Sequence, residues 1–474
     1  METRREHDPL GPLDVPASAL YGVQTLRAVQ NFAISGLHPL EPFVVAQVWI
    51  KQAAAMTHRD TGRLDAARAD AIIAAADEVL AGQHRDQFIV DPYQAGAGTS
   101  HNMNVNEVLA NRANELLGRT RGTYVPVHPN DHVNMAQSTN DTIPTNIRLA
   151  VLRQLPALLA ATDGLADALS AKGVAFDGIV KAGRTHLQDA MPIRLGQEFT
   201  AYAGSLHRCR RRIAEAADYL NDLGIGGSAV GTGVNVEPAF PARIIAHLIT
   251  ISGIETLRVG EDRIQLMQSM GDPAAFSATL RGVAIDLSKI ASDLRLLASG
   301  PRTGLDEIRL PAVQPGSSMM PGKINPSIPE MVNQVCFQVI GCDTTVAIAA
   351  EHGQLELNVM MPVIAHNVLF AMQILTNAMT TFSVRCVAGI TANAAMCEYW
   401  VERSAALATA LMPQIGYAAA ADVAKRSVNE GILIRELVTR DGVLSPEDAE
   451  AVLDLRKMTE IGVPRAAHGR SAES

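Results

Sequence analysis

At 474 residues, with 47% apolar and 19% charged side chains, the chain has the composition of a folded globular protein and not of a disordered one. Aromatic residues make up only 4% and alanine is abundant, so close-packed helices are expected in place of a β-sandwich. A formal net charge of −9 and a pI near 5.8 argue against a nucleic-acid partner. The one basic cluster, Arg208 to Arg212, falls on a predicted helix and reads as a solvated or subunit-facing surface. The five cysteines are odd in number and lack metal-ligand spacing, so reduced thiols in a cytoplasmic protein are expected. The charged start, Met1 to Pro9, is followed by no apolar core and is not read as a signal peptide. No run of 18 or more apolar residues suggests a membrane span, so no membrane partner is expected.

Residues 1–40, rich in Pro and Gly, read as an irregular lead-in. From Val44 the pattern turns helical, and Ile72, Ile73, Ala76, Val79 and Leu80 share one face. After an extended connector from Arg85 to Pro92, Gly96-Ala97-Gly98-Thr99-Ser100 opens a helix. Its polar residues suit helix caps, yet one cap needs one side chain, and six of the eight residues from Thr99 to Asn106 are polar. A second polar stretch, His128 to Thr142, precedes a long helix whose leucines, Leu152 to Leu169, are spaced mostly by three or four, with Pro156 predicted to kink the helix or sit at a break. A helix start preceded by Ser138, Thr139 and Asn140 is a ready anion site, since free N–H groups and the helix dipole both favour negative charge. Gly183-Arg184-Thr185-His186-Leu187-Gln188-Asp189 is read as a third polar loop between helices. Taken alone, His186 is better explained as a structural histidine; Thr185, Gln188 and the two earlier loops turn the balance toward function.

Gly224 to Ala229 matches G-x-G-x-x-A. Without a preceding strand and a βαβ unit, that match is read as a special turn and not as a dinucleotide site. Leu280, Val283, Leu287, Ile290, Leu294 and Leu297 then form a heptad-like seam, stopped by Gly300 and Pro301. Between this helix and the next lies Gly316-Ser317-Ser318-Met319-Met320-Pro321-Gly322-Lys323-Ile324-Asn325-Pro326. Two Gly, two Pro and two adjacent Ser make it a loop. It offers hydroxyls, N–H donors and one ammonium with no acidic residue, so it is built to face an anion such as a carboxylate. Helical spacing resumes at Ile328 and runs to about Phe382, with Pro362 as a predicted kink. A shorter mixed segment begins near Cys397, and a mobile tail is expected after Gly462. The chain divides on this reading into an N-terminal, mostly helical domain (1–139), a central long-helix bundle carrying the Gly-Ser-Ser loop (140–396) and a small C-terminal domain (397–474).

Three hydroxyl and amide clusters, one His and one loop Lys make a poor metal site, and Gly316-Ser317-Ser318 is not a nucleophile elbow. No metal and no organic cofactor are expected. The set suits a small dianion and the extra charge that appears when a proton next to a carboxylate is abstracted. A Ser could serve as base if N–H groups and a cation stabilised its alkoxide.

These residues carry a resemblance. The loop at 316–325 resembles the Gly-Ser-Ser-x-x-Pro-x-Lys-x-Asn signature of the aspartase/fumarase superfamily. Gly98-Thr99-Ser100, Gln137-Ser138-Thr139-Asn140-Asp141 and Gly183 to Asp189 resemble its other signature regions in the same order. The resemblance implies a mostly α, three-domain subunit, a homotetramer around a central long helical bundle, and active sites composed of loops from three subunits. Gly96 to Ser100, Gln137 to Asn140, Glu330 to Val335 and Gly353 to Met360 resemble the aspartase branch, which implies elimination of ammonia from L-aspartate to give fumarate. His128 to Asp131 and Thr185-His186 are common in class II fumarases, the alternative branch. Met135 and Met361 depart from the residues usual at those positions. Carried over, the resemblance implies Ser317 as general base, with Ser318 holding the loop and the substrate. Lys323 and Asn325 bind the carboxylate that becomes the aci-carboxylate. Thr99, Ser138, Thr139 and Asn140 bind the two carboxylates and the amino group, Thr185 and His186 bind the distal carboxylate, and Glu330 orients His186. For the matching His, acid chemistry is the alternative assignment.

Overall fold

The structure, a computed structural model, describes residues 2–467 and is mostly helical. In chain order it runs through the strands β1 (Thr3–Asp8) and β2 (Gly11–Pro16), then α1 (Val23–Asn31), α2 (Glu41–Asp60), α3 (Ala66–Leu80), α4 (Thr99–Leu116) and α5 (Thr139–Ala175). Next come β3 (Val180–Thr185), β4 (Gln188–Arg194), α6 (Leu195–Asp218), β5 (Asp222–Leu223), α7 (Phe240–Ser252), β6 (Arg258–Val259), α8 (Arg263–Gln268) and α9 (Gly271–Leu297). The last third holds β7 (Ile308–Arg309), α10 (Ser327–Glu351), α11 (Met361–Arg385), β8 (Thr391–Ala392), α12 (Ala394–Arg403), α13 (Met412–Glu430), α14 (Ile434–Arg440) and α15 (Pro446–Val452). The strands pair only two by two.

The chain forms two compact units. One comprises Met1–Ala160, Cys209–Ala284 and Val335–Thr376, the other Ala161–Arg208, Ile285–Gln334 and Asn377–Ser474. The division along the sequence at residues 139 and 396 stands as a proposal beside this spatial one. The first unit has its core where α2, α3 and α4 meet, with Val48, Ile72, Ala76, Val79, Val105 and Leu109 buried together. Asp65 caps α3 by accepting from the amide of Arg68. In the second unit Val401, Leu411, Val423, Leu437 and Val452 bury the C-terminal helices against one another. The seam on α9 is as the spacing predicts: all six of its apolar residues are buried.

Several expectations are corrected. Residues 1–40 are only partly irregular: Thr3–Asp8 pairs antiparallel with Gly11–Pro16, and Gly11, at φ +109°, turns the chain as few other residues can. β1 is polar throughout and β2 carries prolines at its second and last positions, which hides their alternation. α1 follows, its first amides bound by the buried Glu107, which accepts from Gly22, Gln24 and Thr25. Pro156 does not break α5, which runs on past it; its side chain faces solvent. The pattern from Ile328 to Phe382 is two helices and not one kinked helix, because Pro362 stands in the first turn of α11, where a missing N–H is harmless. Residues 183–189 are no helix-to-helix loop but the tip of the β3–β4 hairpin. Asp222–Leu223 does precede the glycine run and pairs parallel with Arg258–Val259, with α7 between them. No helix opens on the glycines themselves, since α7 begins at Phe240. Finally, α5 and Met361–Gly389 are long and apolar enough to cross a membrane by length and composition. Polar residues interrupt both, so neither contains an unbroken apolar run of that length. In each, 44% and 50% of the apolar window is buried inside the protein. The tail expected after Gly462 lies partly outside the described residues.

Candidate active site

The first unit brings the starts of α4 and α5 together. Gly98 caps α4 at φ +88°, and a Cβ there would lie 3.0 Å from Cγ1 of Ile143 in the first turns of α5. Only a glycine lets the two helix starts approach this closely without strain. Thr99, exposed, is the first helical residue. The amide of Ser138 donates to Oδ1 of Asp141 at 2.9 Å, and the amide of Asn140 donates to Oγ of Ser138 at 3.1 Å. This reciprocal capping fixes Ser138, Thr139 and Asn140 at the amino end of a 37-residue helix. Thr139 is almost fully buried, and its Oγ1 accepts from Nδ2 of Asn102 on α4 at 3.3 Å. Asn140 Nδ2 donates to the carbonyl of Ala229.

The glycine run explains itself here. Asp141 Oδ2 accepts from the amides of Gly226 at 3.0 Å and Ser228 at 2.9 Å. Gly226 (φ +92°) and Ser228 (φ +56°) are both left-handed, which turns successive N–H groups inward. Burial pushes the Asp141 carboxyl up to about 6 in spite of its three amide donors. Lys51, not among the candidates from the sequence, lies fully buried on α2 and donates to Asn134 Oδ1 at 2.8 Å and Gln137 Oε1 at 3.0 Å. Its only signal is a charge inside the apolar run Val48-Trp49-Ile50-Lys51-Gln52-Ala53, and a lone Lys on a helix ordinarily reads as a solvated face.

The second unit carries the loop at 316–326 and the β3–β4 hairpin. Ser317 Oγ accepts two hydrogen bonds, from the amides of Met319 at 3.1 Å and Met320 at 2.8 Å. The loop is closed on itself: Gly316 N donates to the carbonyl of Lys323 at 2.9 Å, and Asn325 Nδ2 donates to the carbonyl of Gly316 at 2.5 Å. A Cβ on Gly316 would stand 2.3 Å from that Lys323 carbonyl oxygen, so the closure requires glycine. Ser318 and Lys323 are exposed.

At the hairpin tip His186 (φ +55°) and Leu187 (φ +59°) form a two-residue turn with both residues left-handed, an uncommon choice for such side chains. Thr185 and His186 are exposed. Behind them a buried charge cluster anchors the strands. Arg184 grips Glu307 with both nitrogens at 3.0 and 2.9 Å, and Lys181 lies 3.2 Å from Glu307 and 3.0 Å from Glu198. Glu330, in the first turn of α10, lies 3.9 Å from Arg295. Thus Thr99, Ser138, Thr139 and Asn140 belong to one unit, and Ser317, Ser318, Lys323, Asn325, Thr185, His186 and Glu330 to the other. No group of three or more His, Cys, Asp or Glu side chains able to hold a metal occurs among the described residues.

Residues 11–341 match the family described as Lyase, and residues 407–460 match Fumarase C C-terminus. The chain is 46% identical over 463 residues to the aspartate ammonia-lyase of Bacillus subtilis, covering 98% of this chain and 97% of that protein. It is 50% identical over 465 residues to the class II fumarate hydratase of Halobacterium salinarum, covering 97% and 98%. Among solved structures it resembles fumarate lyase:delta crystallin from Brucella melitensis bound to cobalt, with a TM-score of 0.93 and 48% identity over 97% of this chain and 100% of that one.

Proposed function

The chain belongs to the lyase family of the aspartase/fumarase superfamily, and on that premise we propose that this enzyme is an aspartate ammonia-lyase. The observation that carries the reading is the Ser317 hydroxyl, whose oxygen accepts two backbone N–H groups. Two amide dipoles aimed at one oxygen favour its deprotonated form, which turns a weak base into a competent one. On this reading the Ser317 alkoxide takes the C3 proton of L-aspartate. The C–H electron pair moves into the adjacent carboxylate, giving a doubly charged aci-carboxylate. That charge then returns to form the C2–C3 double bond as ammonia leaves, and the products are fumarate and ammonium.

Lys323 supplies the cation beside the aci-carboxylate, and Asn325 and Ser318 complete that side of the site. The Asn325 amide also holds the loop closed through Gly316, so one side chain serves both tasks. Thr99, Ser138, Thr139 and Asn140 bind the two carboxylates and the amino group, with two helix N-termini favouring the carboxylates. Thr185 and His186 bind the distal carboxylate, with Glu330 orienting His186 from a neighbouring subunit. The assembly proposed is a homotetramer with shared active sites, in the cytoplasm, where five buried thiols stay reduced.

The 50% identity to a class II fumarate hydratase supports a second reading, hydration of fumarate to L-malate on the same residues. Ultraviolet absorbance of released fumarate decides between them, with L-aspartate and L-malate assayed in parallel. Release from aspartate alone is the expected result. Release from malate alone would overturn the ammonia-lyase reading in favour of the hydratase and give His186 and Glu330 the acid chemistry.

A further inference from the structure

Burying an ammonium is costly unless a counter-charge lies against it, and proteins rarely do so without a partner. Lys51 is 0% exposed. Its hydrogen bonds go to two neutral amide oxygens, Asn134 Oδ1 and Gln137 Oε1. Asp141 is a source of negative charge that favours the charged form of Lys51, but its oxygens are taken by the amides of Ser138, Gly226 and Ser228 and none of them accepts from the ammonium. The other ionisable groups on the elements packed around α2 are engaged elsewhere or neutral. Asp77 accepts from Gln52, His247 pairs with Asp60, Glu107 caps α1, and burial holds the His101 imidazole uncharged.

From Lys51 a chain of hydrogen bonds leads to the substrate side. Asn134 Oδ1 also accepts from Asn102 Nδ2 at 3.2 Å, and Asn102 Nδ2 donates to Thr139 Oγ1 at 3.3 Å. Gln47 Nε2, donating to Asn102 Oδ1 at 2.8 Å, fixes which way that amide faces. The Thr139 oxygen is therefore an acceptor within the protein, and its own O–H is left to donate outward.

We propose that Lys51 is a positioning residue of the dicarboxylate site, a buried cation with no carboxylate hydrogen-bonded to it, whose charge a bound dianion helps to neutralise through Thr139 and Gln137. This rests on the reading of Gln137 to Asn140 as dicarboxylate-binding. In the free protein burial lowers the Lys51 ammonium to about 7. A dianion nearby favours the charged form, so binding near pH 7 draws in a proton, and affinity falls as pH rises above 7.

The test is calorimetry of the whole protein with succinate, a dicarboxylate that cannot eliminate, in buffers of different ionisation enthalpy. About half a proton is expected to be taken up per site at pH 7, with affinity falling about tenfold between pH 7 and pH 8.5. Lys51→Met should remove the uptake, flatten the pH profile and raise KM about tenfold while changing kcat far less. Asn134→Asp, which sets a carboxylate against Lys51 and leaves the lysine in place, should do the same, so the test survives if Lys51→Met does not fold. No succinate binding by the natural protein at any pH would overturn the dicarboxylate reading and this proposal with it. Binding with buffer-independent heat, or binding unchanged in both variants, would overturn the role of Lys51 alone.

Discussion

Ser317 is a single hydroxyl whose setting decides its chemistry. With two amides on its oxygen, it should lose its role completely when the oxygen is removed. Ser317→Ala is expected to lower turnover by at least ~10²–10³, the scale of losing one preorganised group, while leaving the far-ultraviolet circular dichroism and the assembly state unchanged. Near-normal turnover in a correctly assembled variant would sink the base assignment. At this scale the sequence told much. The residue types of the 316–326 loop point to an anion, and Gly316 is glycine because nothing else fits 2.3 Å from a carbonyl oxygen. Lys51 was not legible, because its burial depends on how α2, α4 and the turn before α5 pack, and no local pattern encodes that. Two of the three amides that hold Asp141, those of Gly226 and Ser228, were equally hidden, since they are backbone groups 85 and 87 residues away.

Among the elements, long helices were read well and short strands poorly. A heptad-like seam repeats along α9 until chance alignment fails as an explanation, whereas the β3–β4 hairpin shows only a few polar residues around one histidine. Its turn gave no Asn-Gly signal. Two left-handed residues with bulky side chains are unfavourable there, each by about 1–2 kcal/mol relative to a residue at ease in that region. Leu187 is 70% exposed, so it gains little packing in return. Leu187→Gly should therefore raise the urea midpoint of unfolding, equivalent to about 1 kcal/mol. An unchanged or lowered midpoint would mean that packing, not backbone conformation, governs the turn. The prolines show why boundaries were misjudged: Pro156 sits inside an unbroken helix with its side chain toward solvent, while Pro362 begins one.

For the whole molecule, the predicted assembly has a visible correlate. Phe337 on α10 is 62% exposed, and Ile348 on the same helix is 54% exposed. Large apolar side chains presented on a long helix suit burial against another copy. Phe337→Glu is expected to shift the particle mass by light scattering from the proposed tetramer to smaller species, with activity falling in step if each site draws on several subunits as proposed. A tetramer that persists in this variant would place the interface elsewhere. The five cysteines have a further consequence. All are buried, and burial pushes the thiols of Cys336, Cys386 and Cys397 up to about 12, far from the reactive thiolate. Three of them, Cys209, Cys336 and Cys342, lie in one compact unit, and two, Cys386 and Cys397, in the other. A thiol-specific dye added to the folded protein thus becomes a clock for opening. Labelling in separate waves of three and two would show the units breathing independently, and a single wave of five would show that neither opens without the other.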